Sequence, residues 1–293
     1  MSSWSNSTRG FPVKTKQTAL SISQYFQTTQ GGICSNFNQL FYSYLYCEKN
    51  VELLYVYDKP NCVSDNFPMF QSILNENSLI KYLKEIPKET KRMNYNTIVN
   101  NHSLSAMPFS RMKKTAQSIF SFNSSAQEKI TALIREKGLE RTRFDIGIHI
   151  RSGDKITTGE MKAIQITEYI RSVRTIQTKL NKKELNIFVM TDNYSLYEEF
   201  VARGDPSWSI TTLEDLSVYT TSGHTQLGFN LLSQEKRTTL FYQFLTELHI
   251  MQRIPNLVLT FSSNVGRFLY LTSYAVQDEE NVISLDVPKW STF

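Results

Sequence analysis

The sequence predicts an α/β chain with two parallel, doubly wound sheets. Three observations predict it. Strand-like and helix-like stretches alternate along most of the 293 residues, which is the pattern of a parallel sheet covered by helices. A glycine pair comes after the first strand and opens a helix, so residues up to 60 read as one βαβ unit. At about 150 residues per domain the length suits two such units. We divide them as an amino-terminal domain over 1–125 and a carboxyl-terminal domain over 126–293.

Residues 1–16 form a polar arm. Residues 17–26, rich in Leu, Ile, Tyr and Phe, read as a strand. Gly31 and Gly32 permit a tight turn and close backbone approach by a ligand. Asn36 or Asn38 is the candidate cap of the next helix, whose apolar face holds Leu40, Phe41, Tyr44 and Leu45. A strand over 51–57 closes at Asp58-Lys59-Pro60. Short helices are expected at 67–74 and 79–86. Longer ones are expected at 111–120 and 126–137, the second capped by Ser124 or Ser125 and stopped by Gly138. The second half reads strand 144–150, helix 164–180, strand 185–190, helix 195–202, strand 209–212, helix 240–253, strand 256–261, helix 265–275 and strand 281–285.

Composition narrows the class. Apolar residues are 40%, charged residues 20% and aromatics 12%, which excludes a disordered tail protein, a collagen and a coiled coil. No apolar run approaches the roughly 18 residues of a membrane span, and no secretory signal is expected. The net charge of +5 suits an anionic ligand but is too diffuse for nucleic acid. Cys34, Cys47 and Cys62 are an odd set and point to reduced thiols and a cytoplasmic location. With no Cys-x-x-Cys and scattered histidines, no zinc site is expected.

Ligands of open α/β sheets sit at the carboxyl ends of the strands. Those ends carry Arg151, Ser152, Gly153, Asp154 and Lys155; Thr191 and Asp192; and Ser262, Ser263 and Asn264. The last group starts a helix, where amide donors and the dipole favour an anion. Arg151 adds a planar fork suited to phosphate. Together they describe a diphosphate cradle with no Walker loop and no Gly-x-Gly-x-x-Gly. There is also no Asp-x-Asp pair to hold a metal-bridged sugar nucleotide. Each part also has a plainer reading: a helix cap at 262–264, an Arg151–Asp154 salt bridge, a simple glycine turn, and His149 as a packed strand residue.

The combination resembles a known family. His149-Ile150-Arg151-Ser152-Gly153-Asp154-Lys155 is similar to the His-x-Arg-Arg-x-Asp-Lys segment of the α1,6-fucosyltransferases. Thr191-Asp192-Asn193-Tyr194-Ser195-Leu196 resembles their Thr-Asp-Asp-Pro-Ser-Leu. Glu247-Leu248-His249 resembles Asp-Ile-His, and residues 260–267 resemble Thr-Phe-Ser-Ser-Gln-Val-x-Arg. Ser284-Leu285-Asp286 matches a terminal Ser-Leu-Asp. The likeness covers about 144–286; Gly31, Gly32 and Asn36 lie in a segment resembling the glycine-rich stretch of the wider superfamily.

The resemblance implies a GT-B-like pair of Rossmann domains, 1–125 on the acceptor side and 126–293 binding the sugar nucleotide, and an inverting, metal-independent glycosyltransferase with GDP-fucose as donor and a glycan or glycoprotein as acceptor. No cofactor is implied beyond the sugar nucleotide. Arg151, Ser262 and Ser263, with Asn264 and Lys155 nearby, would hold the diphosphate. Glu247 would accept from the base and His149 would line base or ribose, with Asp192, Gly31, Gly32 and Asn36 completing the donor site. A fixed guanidinium at a departing diphosphate acts most strongly in the transition state. The departures are Ser152 for the second arginine, Asn193 for the second aspartate, and Gly159 at the glutamate position with Glu160 beside it. Glu160, Asp154 and Asp192 are the candidate general bases, Glu160 first. Other readings are the same fold with UDP-xylose, a glycan-binding module that has lost catalysis, or a nucleotide-binding partner protein.

Overall fold

In the computed structural model, residues 24–50, 52–59, 61, 63, 68–88, 90–94, 98, 107–153, 156, 158, 159, 161–213, 223–275 and 279–287 are described. The first sheet holds β1 (Gln24–Gln27), β2 (Leu54–Tyr57), β3 (Ile80–Tyr82) and β4 (Lys91–Arg92) in the order β3-β2-β1-β4. All its pairs are parallel. Helices α1 (Ile33–Lys49), α2 (Met69–Ile73), α3 (Phe109–Ile119) and α4 (Ser124–Glu136) accompany it.

The second sheet is also parallel. It comprises β5 (Ile146–Ile150), β6 (Leu185–Thr191), β7 (Trp208–Thr211), β8 (Asn256–Leu259) and β9 (Val282–Ser284) in the order β7-β6-β5-β8-β9. Its helices are α5 (Ile166–Leu180), α6 (Tyr194–Arg203), α7 (Gln226–Asn230), α8 (Gln234–Met251) and α9 (Asn264–Thr272). Every residue of β5 is buried, as a strand covered on both faces requires. Strand order reverses direction between β5 and β8, which opens a crevice at their carboxyl ends.

Several local expectations change. The helix expected at 79–86 gives way to β3, whose Ile80 and Tyr82 pair with Leu54 and Val56 of β2; sheet pairing overrides a weak helical pattern. The two-residue β4 carries only exposed Lys91 and Arg92 and has no apolar alternation to announce it. Asn123, not Ser124 or Ser125, caps α4, accepting from the Ala126 amide at 3.0 Å. Gly32 stands at the cap of α1, and Asn36 and Asn38 lie inside the helix. Of the strand expected at 17–26, residues up to 23 lie outside the described residues.

One apolar core runs between the two sheets. It joins Leu54 of β2, Met112 of α3, Ile130 of α4, Leu245 of α8, Leu257 of β8 and Phe268 of α9. At its centre Phe37 of α1 packs on Phe70 and Phe120, each at 4.9 Å between ring centroids, and on Phe268 at 5.1 Å. Such ring contacts add to plain area burial. The α1–α9 contact therefore fixes the two sheets against each other and sets the width of the space between their carboxyl edges.

Candidate active-site cleft

A cleft of about 330 Å³ lies between those edges. Gly31, Gly32, Ile33, Cys34 and Ser35 line it from the first half. His149, Arg151, Asp192, Glu247, Ser263 and Asn264 line it from the second.

The first-half wall is uncharged, and Asn36 holds its glycine turn. That side chain is fully buried beneath the glycine turn. Its Oδ1 accepts from the Thr29 amide at 2.8 Å, and its Nδ2 donates to the carbonyls of Thr29 and Gly31 at 3.1 and 2.8 Å. The asparagine shapes the turn and does not face the cleft. Asn38, two positions further along α1, donates to the main-chain and side-chain oxygens of Asn264, both at 3.2 Å. It ties α1 to the amino end of α9.

The second-half wall carries the charge. Arg151 and Asp192 form an ion pair, with side chains only 12% and 14% exposed. The Asp192 carboxylate also accepts from the Ser152 amide at 2.9 Å and the His224 amide at 3.3 Å. Asp192 thus aims the guanidinium and pins two loops. Gly153 (φ +67°) and Gly223 (φ +78°) make this approach possible, since a Cβ on Gly153 would lie 2.2 Å from the His224 carbonyl. His149 is 4% exposed, and its Nδ1 has no hydrogen-bond partner among the described residues. Burial, with the Arg151 charge beside it, pulls its pKa down to about 3, so the ring is a neutral imidazole facing the cleft.

Ser263 caps α9, accepting from the Val265 amide at 3.3 Å. A Cβ on Gly266 would lie 2.1 Å from the Thr260 carbonyl, so only glycine lets α9 start this tightly over the end of β8. Its amino end opens into the cleft, where the dipole favours an anion. Ser262 is placed elsewhere. Its hydroxyl bonds to Asp286, and its amide and that of Phe261 donate to the same carboxylate at 3.2 and 2.8 Å. It does not line the cleft, because β9 delivers Asp286 to the outer side of the turn. Of the two serines expected in the cradle, Ser263 lines the cleft and Ser262 faces Asp286.

Helix α8 supplies Leu240, Phe241, Phe244 and Glu247, spaced to share one face. Glu247 is 3% exposed, a carboxylate inside the apolar end of the cleft. His249 points away, near Phe122 at 6.3 Å. Sequence reasoning does not bring the segment from Gly223 to the site; the structure does. Thr225 caps α7 by accepting from the Gly228 amide at 3.2 Å, and Gln226 and Phe229 line the cleft. The Thr225-x-x-Gly228 spacing is the one sequence signal for it. Asp154, Lys155 and Glu160 lie outside the described residues.

Solved structures share this architecture. POFUT1 in complex with GDP superimposes with a TM-score of 0.54 at 9% identity, covering 90% of this chain and 99% of its own. Fucosyltransferase NodZ from Bradyrhizobium gives 0.52 at 10% identity over 85% and 91%. NodZ α1,6-fucosyltransferase co-crystallised with GDP gives 0.50 at 10% identity over 85% and 92%. The chain has a fucosyltransferase-like GT-B fold. No protein-family model and no curated protein matches it. Within that fold the cleft occupies the space between the two sheets, and the described residues contain no group of three or more His, Cys, Asp and Glu able to hold a metal ion. No described helix is long and apolar enough to cross a membrane.

Proposed function

We propose that this chain is a glycosyltransferase that takes GDP-fucose and passes the sugar to a hydroxyl of a glycan or glycoprotein acceptor, with inversion and without a metal. One observation carries the reading: Arg151 and the amino end of α9 meet in a single cleft at the point where strand order reverses. GDP in two proteins of the same fold supports it.

The chemistry rests on the charges. The bond from the anomeric carbon to the diphosphate oxygen breaks, and its electron pair stays with GDP. Arg151 and the α9 amides stabilise that growing charge, and Asp192 keeps the guanidinium oriented before it is needed. The acceptor oxygen attacks the opposite face of the sugar and gives its proton to a carboxylate. Asp192 is engaged by Arg151, which leaves Glu160 first and Asp154 second for that role. Lys155, beside Asp154 in sequence, adds positive charge to the donor site. Neutral His149 offers its Nδ1 to base or ribose, and Glu247 accepts from guanine.

A thermal-shift screen of GDP-fucose, GDP-mannose and UDP-xylose tests the donor, since a ligand at 100 times its dissociation constant stabilises by about 2.7 kcal/mol. GDP-fucose is expected to give the largest shift and to be converted to free GDP in the presence of acceptor. A larger shift with UDP-xylose replaces the donor, and no shift with any nucleotide overturns the reading.

A further inference from the structure

We infer that Ser152 and Asn193 act as one neutral positioning pair for Arg151, and that Ser152 is not a diphosphate ligand. Strands β5 and β6 pair in parallel with a constant offset, ending at Ile150 opposite Thr191. The same offset continues past the strands through side chains. Arg151 pairs with Asp192, and Asn193 Nδ2 donates to Ser152 Oγ at 3.2 Å. The Asn193 amide is held in this orientation from its other end, because Oδ1 accepts from the Leu196 amide at 3.1 Å and caps α6.

Side chains alternate along an extended chain. His149 and Arg151 line the cleft, while Ser152 is not among the lining residues. The sequence resemblance sets arginine and aspartate at the positions of Ser152 and Asn193. Here both are neutral, and the structure puts the two in contact. One positive and one negative charge are absent together, so the site's net charge is unchanged by the pair. The neutral rung also has a purpose. A carboxylate at 193 would compete with Asp192 for Arg151, and a guanidinium at 152 would compete with Arg151 for Asp192. Serine and asparagine add no charge that competes for either partner of the Arg151–Asp192 pair.

The inference rests on the proposed nucleotide chemistry for its affinity readout and stands without it for its stability readout. The experiment is a double-mutant cycle of Ser152→Arg and Asn193→Asp, read by melting temperature, by calorimetric GDP affinity and by kcat against acceptor KM. Each single variant is expected to melt lower, to bind GDP at least fivefold more weakly and to lose kcat with acceptor KM unchanged. The double variant should recover most of each loss. Additive effects, or Ser152→Arg alone tightening GDP, overturn the inference. If the wild type binds no GDP, the proposed function fails and the melting cycle still decides the pairing. Ser152→Thr and Ser152→Ala guard against a variant that does not fold: without nucleotide, threonine, which keeps the hydroxyl, should melt near wild type and alanine lower, and equal behaviour overturns the pair.

Discussion

Two turns face each other across the cleft, and they are built on opposite plans. The turn after β1 is uncharged and rich in glycine, with the buried Asn36 holding its carbonyls from beneath. The turn after β5 presents a side chain, Arg151, held by a carboxylate on the neighbouring strand. Both sheets share the same strand order for their first four strands, so the topology does not make the difference. The difference lies in the few residues at the carboxyl end of each strand. One half contributes shape and the other contributes charge, and the two fail in different ways when cut.

The largest effect is expected at the charged turn. Arg151→Ala should lower kcat by about 10²–10³, or roughly 2.7–4 kcal/mol in the barrier, the scale of losing a preorganised donor. The fold should survive, but at a lower melting temperature, because Asp192 keeps its amide donors and loses its counter-charge; near-normal turnover would remove the guanidinium from the mechanism. Acid titration separates the halves next. His149 and His249, in the second half, are held neutral by burial, with pKa values drawn down to about 3 and about 4. The unfolded chain protonates them near 6.5, so they lose stability as pH falls below that value. Asp58, in the first half, is pushed up to about 7 by burial. It acts in reverse, its contribution being present at low pH and lost as pH rises from about 4 to about 7. The balance is a net of about one proton, about 1.4 kcal/mol per pH unit, between pH 4 and 6.5. Denaturant melts across this range should show that slope, and Asp58→Asn should steepen it; a flat profile contradicts both assignments.

Asn36→Ala tests the uncharged turn. It leaves buried carbonyls and an amide without their partner, at about 1–3 kcal/mol of stability. Chemical denaturation should register it, with kcat affected less than in Arg151→Ala. The reverse ranking would erase the contrast between the two turns. At the far end of the cleft, a carboxylate accepts two donors from the guanine edge and one from uracil. GDP should therefore bind more tightly than UDP by about 1–3 kcal/mol. Glu247→Gln should narrow that gap, as calorimetry on both nucleotides will read; equal affinities in the wild type dismiss guanine. The smallest expected effect is that of chelation. Exhaustive EDTA treatment should leave transfer unchanged, and activity that returns only with manganese or magnesium would mean that Arg151 and α9 do not suffice.

The legible parts of the fold are those written locally. The apolar spacing of α8 exposes its buried stripe of Phe241, Leu245, Leu248 and Met251, and the alternation of strand and helix points to a parallel sheet. Its strand ends then lead to Arg151, Asp192 and Ser263, which do share one cleft. β3 reads as helix along the chain because three residues carry too little pattern until β2 supplies their partners. The contribution of α7 is hidden from the sequence because its approach depends on Gly223 meeting Gly153, seventy positions apart in the numbering.

By itself the amino-acid sequence determined the alternation of strand and helix, the parallel sheets that this alternation requires, and the placing of a cation and a helix start at strand ends. Periodicity and turn chemistry act over a few residues, so they can be read along the chain. Only the tertiary structure decided which neighbours face inward. Ser262 and Ser263 are adjacent and chemically alike, yet Asp286 draws one out of the cleft while the other caps α9 within it. Asn36, expected at the ligand, lies under the turn. Arg151 has Asp192 as an ion-pair partner across the sheet, where its own loop offered Asp154 three residues on. The serine and arginine outcomes depend on register between strands far apart in sequence, and register is set by the packing of the whole sheet.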